Sequence, residues 1–454
     1  MNRPTVDPAL AVRLREIEGE ILGRAPEHDV VPTLERVAAV MELLGDPHRA
    51  FRVIHVTGTN GKTSTTRIIE SLCREHGLRT GRFTSPHLHS MTERIAIDGE
   101  PVGAQVLLDT WAEIAPIIDI VDVRSAETGA GRMTFFEVLV VLAFAIFADA
   151  PVDVAVVEVG MGGTWDATNV ADGDVAVLTP IDIDHTRFLG SSVEAIATEK
   201  VGIIKAGAVA LTSVQHQEVA DLVADHCERV GARRYAAEED FAVTAREVAV
   251  GGQLLSLRGI AGEYPEVFLP LHGEHQSNNA LLAVAAVEAF LGGAQRPLDP
   301  EVVRAGLAAV TSPGRLEVVR RSPTILVDAA HNPHGAAALR EALADAFSFA
   351  RLVGIVAIFQ DKDAATILEL LEPALDHVVV TRNTSPRSMN PALLGEIASE
   401  IFGSDRVSVV PALPDAIEEA LALAEQDGLG GGVIATGSIV TAADVRALLG
   451  VTDA

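Results

Sequence analysis

Short, wholly apolar runs alternate with longer stretches of helical period along most of this chain, the pattern expected of parallel strands buried on both faces. Residues 53–56 are the first such run; a turn of Gly and Asn follows, and a helical pattern then covers 63–76. Helical periodicity also marks residues 8–46 ahead of it. Further strands are predicted at 152–159, 175–181 and 209–214, separated by helical segments such as 134–147 and 193–203. The stretch 235–271 changes character: short alternating runs, 253–258 among them, are broken by glycines, which predicts a few antiparallel strands appended to the sheet. A long Ala-rich helix is predicted over 278–291. Beyond a segment richer in Gly and Pro a second series opens, with strands at 324–328, 352–358, 378–381, 407–410 and 433–435 and helical patterns between them. At 454 residues the chain exceeds what one hydrophobic core serves. Two α/β domains are therefore expected: a larger one with a mostly parallel sheet over 1–296, a linker at 297–311, and a smaller, Rossmann-like doubly wound domain over 312–454.

Composition removes several classes of function. Formal charge is −28, from 35 Lys and Arg against 63 Asp and Glu, and no basic run is interleaved with aromatics. Nucleic acid and anionic membranes are thereby disfavoured as partners, and an anionic substrate must meet local basic residues. The longest apolar run, 138–148, lies between Glu137 and Asp149 and is too short to span a bilayer, so it reads as a buried helix. Charges at Arg13, Arg15, Glu16 and Glu18 leave no room for an apolar signal core, and a cytoplasmic protein is expected. Cys73 and Cys227 stand alone, outside any C-x-x-C or His-paired setting, and read as packed thiols.

The strand at 53–56 runs straight into Thr57-Gly-Thr-Asn-Gly-Lys-Thr-Ser64. At such a corner the N–H groups of the turn and of the following helix surround nucleotide phosphates, a lysine neutralises them, and a hydroxyl reaches the metal. Thr59, Asn60, Gly61, Lys62, Thr63 and Ser64 are the candidate nucleotide residues, which makes the larger domain a P-loop ATPase domain. The loop is a variant, since the first glycine of G-x-x-x-x-G-K-[ST] falls at Val56. The strand at 152–159 carries Glu158 and then a glycine-rich loop ending in Thr164-Trp-Asp-Ala-Thr-Asn169; the next ends in Asp182-Ile-Asp-His185, and Glu199-Lys200 follows. Strand C-termini are where α/β sheets build sites. Carboxylate and imidazole both serve as Mg²⁺ ligands, imidazole less usually. Taken singly, a Glu at a strand end is commonly a helix cap and a lone His a structural residue.

In order and density these stretches resemble the folylpolyglutamate synthase / dihydrofolate synthase family of Mur-type ATP-dependent amide ligases. The resemblance is carried by 57–64, Ser85-Pro-His-Leu88 with Glu93-Arg-Ile95, 158–169, His185, Glu199-Lys200, Gly273-Glu-His-Gln276 with Asn279, Pro313-Gly-Arg315 and Asp328-Ala-Ala-His-Asn-Pro333, and so covers most of the chain. It implies that Lys62 contacts the phosphates of ATP, and that Thr63, Ser85 and Glu158 hold a first Mg²⁺ and His185 a second. It further implies that Lys200 is the lysine carbamylated in this superfamily, its new carboxylate holding the second ion or orienting the reactants. Asn279 and Arg315 match residues on the nucleotide. Asp328 and His331 match a pair that reaches ATP and the reacting centre, with His331 a candidate base. Pro86, His87 and Asp166 would face the pterin-bearing substrate. The implied reaction activates the carboxylate of dihydropteroate, or of a reduced folate already carrying glutamate, as an acyl phosphate; L-glutamate attacks it, and ADP and phosphate leave. A monomer acting on small molecules is the matching expectation.

Some positions depart from the family's pattern. Thr63 stands where Gly is common, Thr164-Trp165 where Arg-Leu is frequent, which removes a cation beside the substrate loop, and Ala329 where Gly is frequent. Two rival readings remain at this point. A Mur ligase acting on a UDP-linked muropeptide usually has a nucleotide-sugar domain ahead of its phosphate loop, whereas 56 residues precede Thr57 here. A non-ligase NTP-binding module would leave Lys200 and the 328–333 motif without a task.

Overall fold

The computed structural model describes residues 8–25, 33–426, 428 and 430–451. The chain divides into two compact units. The first runs to Thr244 and takes in Ser256–Val267 and Asn279–Ala309; the second comprises Ala245–Leu255, Phe268–Asn278 and the chain from Val310 onward.

The first unit is built on eight strands: β1 (Arg52–Thr57), β2 (Thr80–Phe83), β3 (Ile95–Ile97), β4 (Glu100–Pro101), β5 (Val154–Glu158), β6 (Val175–Leu178), β7 (Val209–Thr212) and β8 (Arg233–Ala236), in the order β4-β3-β2-β5-β1-β6-β7-β8. From β2 to β8 every pairing is parallel, and β3 and β4 add an antiparallel edge. β5, β6 and β7 are buried along their whole length, as their unbroken apolar runs require. The helices are α1 (Pro8–Leu22), α2 (Glu35–Leu43), α3 (Lys62–Glu75), α4 (Ala104–Glu127), α5 (Phe135–Asp149), α6 (Thr186–Leu189), α7 (Val193–Lys200) and α8 (Gln217–Val230). α5 is the apolar run that the sequence marks as a buried helix. Val138–Phe144 on it are all fully buried, and a capping box of Thr134 and Glu137 starts it. The helical stretch predicted over 8–46 resolves into α1 and α2; its residues 26–32 lie outside those described.

Some elements carry no clear sequence signal. β2 reads Thr-Gly-Arg-Phe, yet all four residues are buried, because Arg82 pairs with Glu70 of α3 inside the unit. Within 297–311, read above as a linker, lies α10 (Pro300–Ala308), following α9 (Glu274–Gly292). Asp299 caps α10 through the N–H of Glu301 at 2.9 Å, Pro300 opens it, and Ser71 of α3 donates to the carbonyl of Gly306 at 2.7 Å. Between β8 and α9 a three-stranded sheet of β9 (Ala242–Ala249), β10 (Gly252–Arg258) and β11 (Glu263–Leu269), ordered β11-β10-β9, has its residues divided between the units.

The second unit carries a six-stranded sheet of β12 (Glu317–Arg321), β13 (Thr324–Val327), β14 (Arg351–Val356), β15 (His377–Val380), β16 (Val407–Val409) and β17 (Gly431–Thr436), ordered β12-β13-β17-β14-β15-β16. Only the β12–β13 pair is antiparallel. Its helices are α11 (Pro333–Ala346), α12 (Ala364–Leu371), α13 (Pro391–Phe402), α14 (Leu413–Glu425) and α15 (Ile439–Leu448). The two-residue period of a strand sends alternate side chains to opposite faces. Leu326, Val356 and Val378 accordingly join a core with α11, α12 and α13, while Ile325, Val327, Val353 and Val379 join another with α14 and α15. The doubly wound arrangement expected of this half is the one observed.

Candidate active site

The strand order β2-β5-β1-β6 brings the carboxyl ends of four parallel strands side by side, and each bears one of the sequence-marked segments. β1 ends in the turn 58–61 and then α3. Gly58 has φ +147°, and a Cβ there would lie 1.9 Å from Thr179 Oγ1, while Gly61 has φ +88°, with its Cβ position 2.6 Å from Asn279 Oδ1. Both glycines are required by left-handed backbone and by close neighbours at once. Asn279, more than 200 residues away in sequence, thus sits against the phosphate loop. Thr59 has other partners: its N–H donates to Pro180 O at 2.8 Å and its hydroxyl to Asp182 O at 2.8 Å, which staples the turn to the loop after β6.

Two ammonium groups share one carbonyl. Lys62 Nζ lies 3.0 Å from Gly58 O, and Lys200 Nζ lies 2.8 Å from the same oxygen. Burial pushes the Lys200 amine down to about 7, and the charge of Lys62 adds to that; Asp184 and Asp166 oppose it.

Glu158 ends β5 with 1% exposure. Its Oε1 accepts from Thr63 Oγ1 at 2.9 Å and its Oε2 from the N–H of Ser85 at 3.2 Å. A carboxylate and a hydroxyl side by side at a helix N-terminus form a hard oxygen donor set suited to Mg²⁺, which keeps several waters and phosphate oxygens as further ligands. Among the described residues no group of three or more His, Cys, Asp or Glu could hold a metal unaided. His185 is exposed, with left-handed backbone (φ +51°), and its N–H is taken by Asp184 Oδ1 at 2.8 Å. Asp184, beside His185 in the loop after β6, is close enough for its charge to act on Lys200.

The loop after β2 is organised by Glu93, which accepts from the N–H groups of Leu88, His89 and Ser90 at 2.7–2.9 Å. Arg94 Nε donates to His87 Nδ1 at 2.9 Å. Burial, then Arg94, pushes the His87 imidazole down to about 3, so the ring stays neutral with its proton on Nε2. Pro86 is exposed beside it. Asp166, expected to face substrate, is 3% exposed, and its carboxylate accepts from the N–H groups of Met161 and Thr168 and from the Thr168 hydroxyl. Burial raises it to about 6 against those bonds. It shapes the loop from within. The Ser64 side chain is likewise buried.

In the second unit Asp328 directly follows β13 and clamps two segments, with Oδ2 accepting from Leu316 N at 2.8 Å and Oδ1 from Ala330 N at 2.7 Å. Burial raises its pKa; Arg315 pulls the other way. Arg315 therefore sits on a loop fixed by Asp328. His331 Nδ1 is 2.8 Å from Ala329 O, which makes Nδ1 the donor. Asn332 caps α11 and Pro333 opens it.

Residues 56–287 match the family description "Mur ligase middle domain", and 314–439 match "Mur ligase, glutamate ligase domain". A phosphate loop at a topological switch of a parallel sheet, followed by a doubly wound unit of this description, defines the class of Mur-type ATP-dependent ligases. The dihydrofolate synthase/folylpolyglutamate synthase of Mycobacterium tuberculosis is 48% identical, over 98% of this chain and 96% of that protein. A crystal structure of Mycobacterium tuberculosis folylpolyglutamate synthase complexed with ADP and AMPPCP superposes with a TM-score of 0.92 at 47% identity, covering 98% of this chain and 99% of that one. A solved FPGS–AMPPCP–folate complex gives a TM-score of 0.83 at 30% identity, over 96% and 99% of the two chains. The chain belongs to the dihydrofolate synthase/folylpolyglutamate synthase family.

Proposed function

We propose that this chain joins L-glutamate to dihydropteroate, to reduced folates already carrying glutamate, or to both, at the expense of ATP. The observation that carries the reading is the cluster at the ends of β2, β5, β1 and β6. There a phosphate-loop lysine and a second, buried lysine share the Gly58 carbonyl beside the Thr63–Glu158 oxygen pair. A module that only cycled nucleotide would have no task for Lys200. The relatives' names and the folate complex support the acceptor class.

On this reading 1–296 holds ATP, 312–454 supplies Arg315, Asp328 and His331, and 297–311 connects them. The acceptor carboxylate attacks the γ-phosphorus and the bond to the β-γ bridging oxygen breaks, so ADP leaves and an acyl phosphate remains. The amine of L-glutamate then attacks the acyl carbon and phosphate departs. Lys62 moves from the loop carbonyls to the phosphates, where it offsets the charge that gathers in transfer. Thr63, Ser85 and Glu158 would hold a first magnesium, with His185 and a carbamate on Lys200 at a second; such ions stabilise charge on the transferring phosphoryl oxygens. The carbamate forms when the neutral Lys200 amine attacks CO₂ and releases one proton, a step favoured by the depressed amine. The ammonium proton of glutamate goes to His331 Nε2, Nδ1 being the donor to Ala329. Asn279 and Arg315 orient the nucleotide, and Pro86, His87 and the 160–169 loop face the pterin. The chain works as a monomer in the cytoplasm.

The test measures ADP release with Mg-ATP and L-glutamate, supplying dihydropteroate in one tube and tetrahydrofolate in the other, with product masses checked. Product heavier by one glutamyl residue is expected in at least one tube, and none with Lys62→Ala of unchanged melting temperature. ATP binding with silence in both tubes would overturn the acceptor assignment, and near-normal turnover by Lys62→Ala the role of the loop.

A further inference from the structure

β1 is apolar at Ile54 and Val56, but on the opposite face it carries His55 and Thr57, two residues apart and both without solvent exposure. Polar groups so deeply buried destabilise the fold unless they are hydrogen-bonded. Both reach the same segment. Thr57 Oγ1 donates to Gly162 O at 2.9 Å, and His55 Nε2 lies 2.9 Å from Thr168 Oγ1. The direction of each bond is set by chemistry. The Thr168 hydroxyl gives its one proton to the Asp166 carboxylate, so it accepts from His55, whose proton must be on Nε2. The imidazole is held neutral, since burial pushes it down to about 3, and its buried Nδ1 has no partner among the described residues. A chain of three polar side chains thus runs from the strand that carries the phosphate loop, through Thr168, to Asp166. Asp166 in turn gathers the N–H groups of Met161 and Thr168. None of this chain passes through Lys62, Thr63 or Glu158.

We propose that His55 and Thr168 are positioning residues for the acceptor substrate, acting through Asp166 to hold the 160–169 loop in a single conformation relative to the phosphate loop. The inference rests on the reading that this loop faces the acceptor. A loop anchored to the phosphate-loop strand presents the acceptor carboxylate in a fixed relation to the γ-phosphate, and a misplacement of 1 Å can cost about a hundredfold in rate. Thr168→Val keeps the shape and removes both hydrogen bonds, Thr168→Ser keeps the hydroxyl, and His55→Phe removes the upstream donor.

Initial rates with each substrate varied in turn, together with amide hydrogen exchange at Met161 and Thr168, test this. For Thr168→Val and His55→Phe, KM for the acceptor is expected to rise about tenfold or more, the effect of losing a buried hydrogen bond that orders the loop, with KM for Mg-ATP within about threefold of wild type. Thr168→Ser should return the acceptor KM to within about threefold. Exchange at Met161 should accelerate in Thr168→Val. An unchanged acceptor KM in Thr168→Val, or equal rises in both KM values that Thr168→Ser does not rescue, would overturn the proposal while leaving the ligase reading intact. A wild-type protein without glutamylation activity would instead overturn that reading, and the inference with it.

Discussion

Gly61→Ala isolates the geometry of the phosphate loop. The added methyl must enter a left-handed position, φ +88°, and a site 2.6 Å from Asn279 Oδ1. Left-handed backbone costs an L-residue about 1–2 kcal/mol. Asn279 is the flexible partner and moves first; with Asn279 on the nucleotide, as proposed above, that forfeits a hydrogen bond worth about 1 kcal/mol. The two sum to about 2–3 kcal/mol, or about 30- to 150-fold weaker nucleotide binding if the strained loop is tolerated only without ligand. Isothermal titration with Mg-AMPPCP measures this, and a thermal melt confirms that the variant folds. Asn279→Ala alone should lose about fivefold, the Asn279 contact by itself. The double variant should bind no worse than Gly61→Ala, because a displaced Asn279 has nothing left to lose. Wild-type affinity in Gly61→Ala, or fully additive losses, would refute the reasoning.

Lys200 gives a pH signature. Its folded-state pKa of about 7 lies below the value of 10.5 for an exposed lysine, so the buried site destabilises the fold fully at pH below 7, and the penalty fades as pH rises toward 10.5. Lys200→Met should therefore raise the melting temperature more at pH 6.5 than at pH 9.5 in CO₂-free buffer, while abolishing turnover; a pH-independent difference counts against the buried ammonium. Arg36 and Glu137 are 3% and 5% exposed and joined at 3.0 Å, and Glu137 also completes the α5 capping box. Glu137→Ala removes the carboxylate that offsets the buried Arg36 charge and should lower stability by about 3–5 kcal/mol, read as a lower denaturant midpoint, with Arg36→Leu/Glu137→Leu recovering most of it. Cys73, pushed up to about 12 by burial and by Glu70, should resist thiol reagents in the native protein and react on unfolding.

Long elements are legible because periodicity and burial coincide in them. The runs at β1, β5, β6 and β7 predict strands whose both faces are covered, and the apolar stretch around 138–148 predicts α5. Short elements are not legible in this way. β2 is buried through an ion pair formed by Arg82 and Glu70, twelve residues apart, and β12 is a five-residue edge strand with exposed arginines. α10 carries helix-start chemistry in Asp299 and Pro300, but it lies in a segment whose Gly and Pro content reads as a connector. In the site, the glycine turn with Lys62 and Thr63 declares itself locally. The internal use of Asp166 does not, because two of its three donors are main-chain N–H groups, which any sequence supplies.

The sequence by itself determined the α/β class, the phosphate loop, and the residue types that bring charge and hydroxyls to strand ends. These follow from local rules: a strand buried on both faces must be apolar throughout, and a turn with left-handed backbone must carry glycine. Tertiary structure alone decided which of those residues meet. The parallel order β2-β5-β1-β6 sets Ser85, Glu158 and Thr63 on one another, places Lys200 on the carbonyl of Gly58, and turns His55 toward Thr168. Strand order joins residues 73 to 142 positions apart, and it is fixed by how whole helices and strands share their buried surface, which no local pattern encodes.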